Sequence, residues 1–137
     1  MDDLSARMAA IAAHFTAGCP SRVVTREFLD FPMQKKADLQ KGILTLISLG
    51  ESDYKNLKGR ACMDGTHHMT LTGQLQLGEK ESGLAIETAE LELFEEARAC
   101  LRTLPLALCT LLATGFRQSG QVQKPFGWIV VDLELLT

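Results

Sequence analysis

From Met69 to Leu77 the chain alternates between two kinds of residue. Met69, Leu71, Leu75 and Leu77 fall on one side, and Thr70, Thr72, Gln74 and Gln76 fall on the other. A repeat of two is the period of a β-strand, because successive side chains point to opposite faces. A strand with one dry face and one uncharged polar face requires neighbouring strands and an apolar layer over one side. Gly73 interrupts the dry side and marks either a bulge or a close approach by a neighbour.

Two helical segments can supply that layer. Leu4, Met8, Ile11 and Phe15 share one face of a helix over Met1 to Thr16, with Asp2 and Asp3 placed to cap it and Gly18 and Pro20 to end it. Ile86, Ala89, Leu93, Ala97, Cys100 and Leu104 form the stripe of a longer helix that opens at Ser82-Gly83 and stops at Pro105, with Phe94 and Leu101 widening it. Its acids precede its bases, the order the helix dipole favours.

The remaining apolar runs are short. Val23 to Leu29 reads as a strand, and Ile43 to Leu49, between two glycines, as a strand buried on both faces. Leu106 to Phe116 fits either a continued helix or a strand, a strand over Leu111 to Phe116 is favoured, and Leu106–Gly115 reads as either core or contact surface. Ile129, Val131, Leu133 and Leu135 alternate with Val130, Asp132 and Glu134 in a closing strand with one acidic face. Pro32–Gly42, Glu51–Gly65 and Arg117–Pro125 read as polar loops. The order α-β-β-β-α-β-β predicts an α+β fold in a single domain, residues 1–137. Its sheet is mostly antiparallel or mixed, with about four to five strands and two α-helices packed on one face.

A net charge of −3 supplies no concentrated positive surface, so neither nucleic acid nor anionic membrane is expected as a partner. The N-terminal residues do not read as a secretory signal, and no run has the length of a membrane span. The four scattered cysteines read as reduced thiols. Cys100 and Cys109 are expected to be buried, and Cys19 and Cys62 to be more exposed.

Little in the chain points to catalysis. His67 and His68 are adjacent on a strand and so point to opposite faces, which prevents them from sharing one ion with Cys62, Asp64 or His14. The glycines form no phosphate-binding pattern. The acids of the long helix lie largely on its wet face. No catalytic residue, cofactor or metal is assigned, and the chain is not expected to be an enzyme. Two basic sets, Lys35, Lys36 and Lys41, and Lys55, Lys58 and Arg60, are candidates for a positive patch. Asp132 and Glu134 supply an acidic face for it to meet on another subunit, the kind of complementarity that sets register in a ring.

This succession of segments resembles the tail terminator family of long-tailed bacteriophages, of the minor tail protein U type, and related prophage proteins. The match lies in the N-terminal helix, the strand from Ile43 leading to Gly50-Glu51-Ser52, and the basic loop Gly59-Arg60-Ala61 before the strand His68 to Leu77. The acid-rich helix and the hairpin ending in Phe126 to Leu136 complete it. The resemblance implies a structural protein that caps the tail tube as a ring, commonly a hexamer assembled from free monomers, and offers a surface to the head–tail connector. Its partners would be itself, the tail tube protein and the connector, in the host bacterial cytoplasm during assembly and in the virion tail afterwards. The alternatives are another head–tail joining or neck protein and, in a different class, a small α+β enzyme or ligand-binding module around His67, His68 and Cys62.

Overall fold

The structure, a computed structural model, describes residues 3–55 and 64–136. The chain runs α1 (Leu4–Gly18), β1 (Val23–Thr25), α2 (Lys36–Lys41), β2 (Ile43–Lys55), β3 (Asp64–Gln76), α3 (Gly83–Arg102), β4 (Leu111–Gln118) and β5 (Phe126–Leu136). Short 3-10 turns lie at Phe31–Met33 and Leu106–Leu108. The strands form one sheet in the order β1-β2-β3-β5-β4. β1 runs parallel to β2 and the other neighbours are antiparallel, so the sheet is mixed and the fold is α+β.

The period-two reading of β3 places the core. Met69, Leu71 and Leu75 are buried against α1 and α3, together with Leu44 and Leu46 of β2 and Ile129, Val131, Leu133 and Leu135 of β5. From α1 come Met8, Ile11 and Phe15, and from α3 Leu93, Phe94, Ala97 and Cys100. Each such Leu or Ile withdrawn from water contributes about 1.5–3 kcal/mol. The helix ends follow their cap residues: Asp3 accepts from the Ser5 amide at 2.8 Å, and Ser82 accepts from the Ala85 amide at 3.1 Å. Asp2 lies outside the described residues. Gly73 is a matter of space. The ladders run unbroken through it to Leu44 and Ile129, and a Cβ there would lie 2.6 Å from side-chain atoms of both Leu93 and Ile129. Of its two readings, the close approach holds and the bulge does not.

Several boundaries differ from the sequence reading. Pro32–Gly42 is not all loop, because Leu39 finds a buried site and the turn around it closes as α2. The element order therefore gains a helix between the first two strands. β1 is three residues long: beyond Thr25 the chain leaves the ladder and crosses to the outer face. β2 does not stop at Leu49. It continues to Lys55, paired with β3, although burial ends near Leu46. This arm lacks an apolar period because its residues are exposed or, at Glu51 and Ser52, only half-buried. A register shift at Leu49 and another before Lys55, with Asp53 at φ 59°, irregularise the ladder without ending it.

Two cysteine expectations are reversed. Cys19 is buried, because the C-terminal turn of α1 folds back onto α3 and brings its Sγ to 3.5 Å from Cys100 Sγ. Cys109 is exposed, following a 3-10 turn that faces water before β4 begins. Cys100 is buried as expected.

The segment between β1 and α2 covers one end of the outer face. Gln74 donates through Nε2 to the Leu29 carbonyl at 2.9 Å and accepts from Gln34 Nε2 at 3.0 Å. At the base of this crossing Arg22 chelates the Glu96 carboxylate of α3 through Nε, at 3.1 and 3.2 Å, and through Nη2. Its Nη1 also donates to the Lys41 carbonyl at 2.8 Å. One planar guanidinium thereby ties β1, α2 and α3 together.

Candidate assembly surface

The outer face of the sheet carries the even-numbered residues of β3 and β5, since their odd-numbered neighbours fill the core. Lateral pairing sets His68 beside Glu134, Thr70 beside Asp132, Thr72 beside Val130 and Gln74 beside Trp128. The crossing segment covers the Gln74 end. Asp132 and Glu134 lie half-buried toward the other end and on the outer face, where the acidic side of the closing strand is expected.

Two histidines show how the strand divides its chemistry. His67 points inward and is fully buried, with Nε2 at 2.8 Å from Ser48 Oγ and Nδ1 at 3.4 Å from Arg7 Nη1. Burial, and secondarily the Arg7 charge, lower its pKa below 6.5. His68 points outward, with Nε2 at 2.6 Å from Ser52 Oγ and Nδ1 at 3.4 Å from Glu134 Oε1. The opposite orientations expected of adjacent strand residues are therefore present. Ser52, His68 and Glu134 fall in the order hydroxyl, imidazole, carboxylate. The 3.4 Å contact to Glu134 is the reach of an ion pair, longer than the N–H···O bond that orients a catalytic imidazole. Among the described residues no group of three or more His, Cys, Asp or Glu is placed to hold a metal ion. Cys62 lies outside the described residues.

The basic candidates divide by position. Lys35 and Lys36 stand exposed at the start of α2 and Lys41 at its end, beside the Gln74 end of the sheet. Lys55 ends β2 at the far end of a 13-residue strand, roughly 40 Å along the chain from Ile43 at about 3.3 Å per residue. Lys58 and Arg60 lie outside the described residues. The α2 lysines and the pair Asp132 and Glu134 thus occupy opposite ends of one face.

β4 is an edge strand, bonded to β5 on one side only. Its apolar stretch divides in a way the sequence left open. Leu108 and Leu111 belong to the core, whereas Leu106 and Leu112 are 88% and 49% exposed. Ala113 and Thr114 are exposed too, around a register shift before Gly115. A strand edge presents unpaired amides and carbonyls, and exposed apolar side chains along it favour addition of another chain.

Sequence reasoning missed one polar residue that shapes this surface. Glu90 sits on α3 among the acids read as solvated, yet it is fully buried. Its carboxylate accepts from the Ser119 hydroxyl, from the Trp128 amide at 2.8 Å and from Gln118 Nε2 at 3.2 Å. The β4–β5 ladder ends at Gln118 and Ile129, and Glu90 satisfies the donors just beyond that end. The signal was present: Glu90 lies four residues after Ile86 and three before Leu93, on the buried stripe.

A cavity of about 380 Å³ opens on the outer face where the crossing segment meets β3 and β5. Phe28, Asp30, Phe31, Thr72, Gln123 and Trp128 are among the residues that line it.

No helix among the described residues is long and apolar enough to cross a membrane. No protein-family model matches the chain, and no curated protein is significantly similar to it in sequence.

Proposed function

We propose that this chain is a structural assembly protein of the phage tail terminator kind, which closes into a ring on the end of a tail tube and offers its other side to the head connector. The observation that carries this reading is the β4 edge, a strand paired on one side only, with Leu112, Ala113 and Thr114 exposed and Leu106 exposed in the turn before it. Contacts between two different patches of the same chain close into rings when the rotation permits. A free apolar edge supplies one such patch, and the lysines of α2 and the carboxylates of Asp132 and Glu134 are candidates for setting its register. Its partners are further copies of itself, the tube protein and the connector, met in the bacterial cytoplasm during assembly.

Electron microscopy of the chain, alone at high concentration and mixed with a tail tube protein from the same genome, tests the reading. Closed rings, free or seated on tube ends, are the expected result. Dispersed monomers under both conditions would contradict it.

A further inference from the structure

We infer that the outer-face cavity between the crossing segment and β5 is a receptor for an arginine side chain of a partner protein. Three rings line it: Phe28, Phe31 and Trp128. Among the described residues that line it, Asp30 alone carries a formal charge and there is no lysine or arginine. Negative charge combined with aromatic faces selects a cation, because the ring quadrupole attracts positive charge and excludes anions.

The polar groups of the wall narrow the choice. Gln74 is spent on Leu29 and Gln34, as described above. Gln123 Oε1 accepts from Trp128 Nε1 at 2.5 Å. Asp30 occupies the N-cap position of the 3-10 turn at Phe31, where an aspartate ordinarily bonds the turn amides, yet its side chain makes no cap bond. Its carboxylate stands exposed at the rim with no hydrogen bond or ion pair to a described residue. One unpaired anionic acceptor beside aromatic faces fits a planar guanidinium, which stacks on rings and bonds a carboxylate at the same time. A volume of about 380 Å³ admits the three-carbon stem as well as the head.

Two of the three rings are held before any ligand arrives. Phe31 packs on Phe126 with centroids 4.7 Å apart. Trp128 is fixed by its backbone amide on Glu90 and by its indole N–H on Gln123. Rings already immobilised lose little freedom on binding, so more of the contact energy appears as affinity.

Trp128 is the single tryptophan, so its emission reports on the cavity directly. The probe is Nα-acetyl-arginine amide, with the citrulline analogue as an uncharged isostere. A saturable change in emission is expected, with a dissociation constant of about a millimolar for a ligand of this size. Binding should weaken about tenfold for citrulline and for Asp30→Asn, and a similar amount for Phe28→Ala. Circular dichroism of both variants checks the fold; the two side chains are exposed, so it is expected to be unchanged. No saturable response up to about 50 mM probe, fifty times that expected constant, would overturn the inference, as would equal affinity for the two probes or for wild type and Asp30→Asn.

Discussion

The two faces of the sheet obey different rules. The inner face is filled by aliphatic side chains under α1 and α3, fitted so closely that Gly73 has no room for a methyl group. The outer face carries threonines, glutamines, a histidine and carboxylates, covered at one end by a loop and a single helical turn and open at the other. The packing that holds the fold lies on the inner side; on the assembly reading proposed above, recognition lies on the other, and a substitution should then affect one property or the other according to its parity in the strand.

Adjacent residues of β3 give the sharpest contrast. Leu71→Ala on the inner face should cost about 2–5 kcal/mol, because the helices above cannot collapse into the space. Thr72→Ala, one residue on, should cost less than about 1 kcal/mol. Urea unfolding measures both, and equal costs would break the division. Glu90→Ala should follow at about 2–4 kcal/mol, since it strands the Trp128 amide, the Ser119 hydroxyl and the Gln118 amide. Glu90→Gln keeps one acceptor and should recover part of that loss in the same assay.

A smaller effect follows from pH. His67 has its folded pKa lowered by burial, so the unfolded chain binds the proton more readily below 6.5. Its contribution is therefore complete above 6.5 and declines as the pH falls from there toward the folded value. The urea midpoint of wild type should drop between about pH 7.5 and 5.5, and His67→Gln should flatten part of that drop. Thiol labelling gives a qualitative check on the inner side. Cys109 should react with iodoacetamide in the native protein, while Cys19 and Cys100 react only on unfolding. Burial and its Cys100 neighbour push the Cys19 thiol up to about 12.

What the sequence disclosed follows the same division. Where one face is dry the alternation shows, so the inward residues of β3 and β5 and the stripes of α1 and α3 were legible. Residues Glu51–Lys55 were read as loop because their ladder is held by backbone bonds, which leave no apolar period. Leu39 gave too short a signal to announce α2, and the aromatic cavity joins residues about a hundred positions apart that only the fold brings together. The surface proposed for assembly was legible as charge and as the apolar stretch Leu106–Gly115, whose division between core and exposed surface waited on β4 proving to be an edge.

Sedimentation velocity of wild type and Leu112→Glu across a wide concentration range tests the central claim most directly. Leu112 is 49% exposed on the edge strand and lies opposite Glu134, so the substitution should cost about 1 kcal/mol or less and leave the monomer folded. Wild type is expected to pass from monomer to a discrete closed species as concentration rises, while Leu112→Glu stays monomeric. Association of both to the same extent, or of neither, would contradict the assignment of recognition to this side of the sheet.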